Sequence, residues 1–123
     1  MADAAAAQGA SGRERRRSRR YLCNGLAEVM VVYPESLFRG EIRDISLNGC
    51  FVITKARVHL ERLAEAEIRF KLNNRQFRAR ARVMNVRPGD GVGIEFSFPN
   101  EQAEEQVRSL IQELSATPAA KRT

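Results

Sequence analysis

Polar and apolar residues alternate through the second half of the chain. Ala66, Ile68, Phe70 and Leu72 are interleaved with Glu67, Arg69 and Lys71. Phe77, Ala79, Ala81 and Val83 alternate with Arg78, Arg80 and Arg82, and Val92, Ile94, Phe96 and Phe98 with Gly93, Glu95 and Ser97. Period two over three successive runs predicts an antiparallel meander with one buried face. Asn73-Asn74 with Arg75, and Pro88-Gly89-Asp90-Gly91, supply the turns. Upstream, residues 26–33 are rich in β-branched side chains and stop at Pro34, which predicts a strand with apolar residues on both faces. Residues 38–46 and 50–54 predict two more strands, joined by the hairpin signal Asn48-Gly49. Residues 55–65 fit either a loop or a short helical turn.

The periodicity changes after Pro99. Val107, Leu110, Ile111 and Leu114 recur at the i, i+3, i+4, i+7 spacing of one helix face. Asn100 is placed to cap that helix, and Glu101, Glu104 and Glu105 suit its positive end. Six strands and one amphipathic helix predict a small closed β-barrel, since closure removes the edges an open sheet exposes. With 123 residues, a single domain is expected over residues 13–115. Residues 1–12, rich in Ala, Gly and Ser, are expected to be a disordered leader, and 116–123 a disordered tail.

Charge sharpens this picture. The net charge is +6, and six of the eight residues from Arg13 to Arg20 are arginine. Such a field attracts an anion: nucleic acid, anionic lipid or nucleotide. No stretch reaches transmembrane length, and the first dozen residues lack the pattern of a signal peptide, so a cytoplasmic protein without membrane insertion is expected. Cys23 and Cys50 are expected to be buried thiols, although a disulfide between them is allowed by number alone. With His59 as the one histidine and no Cys-x-x-Cys, neither a metal site nor a cofactor is expected. No catalytic set is present: Gly-x-Ser-x-Gly and a phosphate loop are both missing, so no enzyme is expected.

Two motifs carry the chemistry. The arginine run contains Arg-x-x-x-Arg in two registers, Arg15/Arg19 and Arg16/Arg20. A guanidinium matches phosphate, and equally the O6/N7 edge of guanine, through paired donors, and its flat face stacks on a base. The second motif, Asp44-Ile45-Ser46-Leu47-Asn48-Gly49, reads Asp-x-Ser-x-x-Gly. An ionised Asp44 only accepts hydrogen bonds, which suits the N–H donors of guanine's Watson–Crick edge. Strand alternation puts Ser46 on the face of Asp44, and Gly49 permits a positive φ at the turn. Alternatively, these polar residues only satisfy a hairpin, and the arginines are a solvated arm.

Taken together, the two motifs resemble the PilZ domain family. Arg15, Arg16 and Arg20 fall on the family's Arg-Arg-x-x-x-Arg positions, the second motif matches without departure, and Gly93-Ile94-Glu95-Phe96 is similar to its closing strand. The resemblance covers residues 14–113. It implies a six-stranded antiparallel barrel with a C-terminal helix, and a bacterial second-messenger receptor that binds cyclic di-GMP. It also implies that the arm at residues 13–20 folds onto the ligand while Asp44 and Ser46 hold a guanine and Gly49 closes the turn, changing a surface for a downstream protein partner. Two other functions fit the same residues. One is a nucleic-acid-binding barrel using the arm and Arg78, Arg80 and Arg82, disfavoured by few aromatics for base stacking. The other is a PilZ-like adaptor that binds no nucleotide.

Overall fold

The computed structural model describes residues 19–98 and 100–118. Its elements are β1 (Tyr21–Val31), β2 (Ser36–Ile45), β3 (Gly49–Ile53), β4 (Glu65–Leu72), β5 (Arg75–Arg87), β6 (Gly91–Ser97) and α1 (Glu101–Ser115). The strands close into a barrel in the order β1-β2-β3-β6-β5-β4. All six neighbouring pairs are antiparallel. The expected barrel with a C-terminal helix is therefore present, including the β4–β5–β6 meander.

Alternation sets which side chains fill the barrel. Ala66, Ile68, Phe70 and Leu72 of β4 and Phe77, Ala79, Ala81 and Val83 of β5 are buried, while Arg69, Lys71, Arg78, Arg80 and Arg82 face outward. Asn73 and Asn74 have φ of 53° and 61° and join the paired residues Leu72 and Arg75. Positive φ at both corners defines a type I′ turn, whose twist matches that of the flanking strands. Phe70 stacks on Phe77 at 4.9 Å and on Phe96 at 6.0 Å between ring centres.

The helix covers the barrel with the expected stripe: Val107, Leu110 and Leu114 are buried and Ile111 half-buried. Each fully buried Val or Leu contributes roughly 1.5–3 kcal/mol relative to exposure. Asn100 caps α1 by accepting from the Ala103 amide at 2.9 Å. Arg75 pairs with Glu113 at 2.5 Å, tying the β4–β5 turn to the helix. No described helix is long and apolar enough to cross a membrane.

Two details differ from the sequence reading, and a third decides between the loop and the helical turn that it left open. First, β1 begins at Tyr21, because Tyr21 and Leu22 pair with Ile45 and Asp44 at the end of β2. Secondly, β5 continues past Val83 to Arg87 through an irregularity between Val83 and Asn85. Thirdly, residues 54–64 form no helix; they cross the barrel with Val58, Leu60 and Ala64 packed against its core.

Cys23 and Cys50 are buried free thiols. Burial pushes the Cys50 thiol well above its ordinary value of 9.0, and neighbouring Cys23 adds to the rise. The folded state thus disfavours the thiolate. Cys50 stabilises the fold fully below pH 9.0, and that contribution is lost as rising pH ionises the unfolded chain. Since the thiolate is the nucleophile, both cysteines should resist a disulfide reagent at neutral pH in the native protein and react once guanidinium unfolds it. Rapid reaction of the native protein would contradict this burial.

Candidate functional site

A bulge in β2 builds the site. Ile42 pairs with Val52 and Asp44 with Phe51, so Arg43 and Asp44 together oppose a single step of β3. Strict alternation from Phe38 and Ile42, which point into the core, would also turn Asp44 inward. The extra residue instead sends consecutive Arg43 and Asp44 toward the outside, and Ile45 returns to the core.

Asp44 sits between two guanidiniums. Arg20 Nη1 donates to Oδ1 at 2.5 Å and Arg43 Nε to Oδ2 at 3.0 Å. The Asp44 side chain is 10 % exposed, against 54 % for Arg20 and 42 % for Arg43. Both recorded partners of this carboxylate are thus arginines rather than turn amides. The sequence reading brings Arg20 and Asp44 together, as the structure does; Arg15 and Arg16 lie outside the described residues.

Ser46 behaves differently. Its hydroxyl accepts from the amides of Asn48 and Gly49 at 3.1 and 3.2 Å and donates to the Gly49 carbonyl at 3.4 Å. It is only 1 % exposed, and its hydrogen-bonding capacity is used inside the turn. Gly49 is also required for a reason other than the one expected. Its φ is not positive, and neither are those of Leu47 and Asn48. A Cβ at residue 49 would stand 2.1 Å from the Ile94 carbonyl oxygen, so close approach of β3 to β6 excludes a side chain. This turn is therefore not a primed hairpin, and Asn48-Gly49 does not supply its corner.

Next to Asp44 lies a feature that the sequence reading missed. Phe51 is buried but does not belong to the barrel core cluster. The Arg43 guanidinium lies over its ring at 4.2 Å from the centre and that of Arg87 at 5.3 Å. Arg43, adjoining the motif aspartate, was the one hint available; Arg87 lies far along the chain, and the pairing of β3 with β6 and of β6 with β5 brings it here.

A depression of about 700 Å³ lies elsewhere, among Leu26, Glu28, Arg39, Arg69, Lys71 and Arg78. It contains no motif residue, and its arginines are matched by acids: Arg39 with Glu28 at 3.0 Å, and Arg69 and Arg78 with Glu67 at 3.7 and 3.8 Å. Arg78, Arg80 and Arg82 are exposed, as alternation predicts, and so is His59.

The PilZ domain family model matches residues 14–113. No curated protein matches the chain significantly. Among solved structures, the PilZ domain of CeSA from a cellulose-synthesising bacterium is 23% identical, with a TM-score of 0.68 over 80% of this chain and 99% of that one. The PilZ domain of YcgR from Escherichia coli, solved with c-di-GMP, is 17% identical, with a TM-score of 0.67 over 83% of this chain and 92% of that one. MrkH from K. pneumonia, solved as a c-di-GMP complex, is 18% identical with a TM-score of 0.70; the match covers 83% of this chain but only 52% of MrkH.

Proposed function

Because this chain belongs to the PilZ domain family, we propose that it is a non-enzymatic receptor for cyclic di-GMP. The observation that carries this reading is the Arg20–Asp44–Arg43 cluster on the outside of the barrel. It combines what the ligand requires: a carboxylate for the N–H donors of guanine, and planar cations for phosphate and for the O6/N7 edge. Two structural relatives solved with the same ligand support it.

The mechanism is an exchange of partners. Arg20 and Arg43 occupy both oxygens of Asp44. A guanine that donates to Asp44 takes over part of this role and frees the Arg20 guanidinium for a phosphate. Arg15 and Arg16 add donors from the same arm, and Arg20, at its junction with β1, sets where the arm meets the barrel. Ser46 and Gly49 act by shaping the turn that follows Asp44. The repositioned arm is the surface that changes for a downstream protein partner. The nucleic-acid alternative is disfavoured, because Phe38, Phe51, Phe70, Phe77 and Phe96 are buried and Tyr21 and Phe98 half-buried, which leaves Tyr33 as the one exposed tyrosine or phenylalanine ring for stacking.

Calorimetric titration tests this proposal. Cyclic di-GMP is expected to bind well above GTP, cyclic di-AMP and single-stranded DNA. Asp44→Ala is expected to lose discrimination between the two cyclic dinucleotides while retaining weak, salt-sensitive binding. The loss of a negative charge removes the guanine reader but also relieves repulsion of the phosphates. Equal competition by GTP or DNA with the unmodified protein would replace the receptor reading with a purely electrostatic one.

A further inference from the structure

The chain carries a second group of cations, outside both motifs, that faces the same site. We propose that Arg87, seated on Phe51 beside Arg43, contacts a ligand phosphate from the β5 side of that ring. This assignment rests on the receptor reading above.

The placement follows from pairing. Asp44 is the cross-strand partner of Phe51, and Phe51 of Gly93 on β6. Arg87 on β5 pairs with Gly91 on β6. Glycine at 91 leaves room on the outer surface, and the Phe51 ring fills it. A Cβ there would stand 2.6 Å from Phe51 Cε2 and 2.3 Å from the Val52 carbonyl oxygen. The ring therefore spans from the Asp44 side toward β5, where Arg87 reaches it at 5.3 Å. A guanidinium resting flat on a ring keeps its edge donors available.

Charge points the same way. Among the described residues no carboxylate within 4.0 Å is recorded for Arg87, as for Arg19, Arg57, Arg62, Arg80 and Arg82, but of these six only Arg87 lies over the Phe51 ring. Asp90, the nearest acid along the chain, meets Arg87 only through its backbone amide, which donates to the Arg87 carbonyl at 2.9 Å. Arg20 and Arg43 pair with Asp44, and Arg43 and Arg87 share the Phe51 ring, so three guanidiniums are linked through one recorded carboxylate and one ring. A dianionic cyclic dinucleotide complements this local excess of positive charge. Arg43 is a positioning residue in this scheme: it orients Asp44 through Nε and packs on Phe51 with its face.

The test is titration of the full chain with cyclic di-GMP, alongside Arg87→Ala, Arg87→Lys and the remote control Arg78→Ala. Arg87→Ala is expected to weaken binding about tenfold or more, as for one lost charge-assisted contact, with the same thermal midpoint. Arg87→Lys should recover only part of the loss, because lysine keeps the charge but not the planar fork. Arg78→Ala should bind like the unmodified chain. Unchanged affinity in Arg87→Ala, or an equal loss in Arg78→Ala, overturns the assignment of Arg87 while leaving the receptor reading intact. An unmodified chain without saturable binding overturns both.

Discussion

Arg20→Ala is expected to weaken cyclic di-GMP binding by about 10- to 100-fold and to leave thermal unfolding nearly unchanged. The first effect follows from the loss of a charge-assisted contact worth roughly 1.5–3 kcal/mol. The second follows from the position of Arg20: it precedes β1, its side chain is 54 % exposed, and it belongs to no part of the core. With the guanidinium more than half in solvent, the pair contributes on the order of 1 kcal/mol to folding although Asp44 itself is buried. Asp44 would not be stranded, because Arg43 still holds its other oxygen at 3.0 Å. Calorimetry for binding and for unfolding separates the two effects. Normal affinity in this variant would move the site away from the arm junction.

Gly49→Ala is expected to damage both fold and binding, on the order of 1–3 kcal/mol as an overpacked contact. For a domain of this size that lowers the midpoint on the order of 10 °C. The cost does not come from backbone conformation, since the φ of Gly49 is one that alanine accepts. It comes from a Cβ placed 2.1 Å from the Ile94 carbonyl oxygen and 3.1 Å from the Glu95 Cα, backbone atoms of β6 that cannot rotate away. Strand β3 has to move outward, and with it the turn that Ser46 closes. A denaturation curve superimposable on that of the parent would show that β3 and β6 can separate without penalty, contrary to this reading.

Much of the fold was legible in the sequence because it rests on periodicity. The alternation in β4, β5 and β6, the stripe Val107–Leu110–Leu114, the Asn100 cap and the Asn73-Asn74 turn all appear where local pattern places them. The site was legible only in part. Arg20 and Asp44 meet because β1 pairs with the end of β2, consistent with the motif order. The bulge at Arg43 was not legible, because an extra residue in a strand leaves no mark in an alternating pattern. Ser46 was read either as a ligand contact or as a turn residue, and its recorded hydrogen bonds lie in the turn; Gly49 was read for a positive φ, whereas close strand packing requires it. Arg87 and Phe51 carry no local signal; they become neighbours of Asp44 through a pairing path across β3, β6 and β5.

Closure of the sheet has a consequence for how a binding event could propagate. Each strand is hydrogen-bonded on both sides, and the last in the spatial order, β4, returns to β1. No strand can peel away without breaking two ladders, so the sheet resists fraying and behaves as one cooperative unit. A ligand at its outer wall then finds few soft internal modes to excite. On the receptor function proposed above, the free energy of recognition would go into whatever is attached at the rim, the rigid cylinder holding still while its attachments are rearranged.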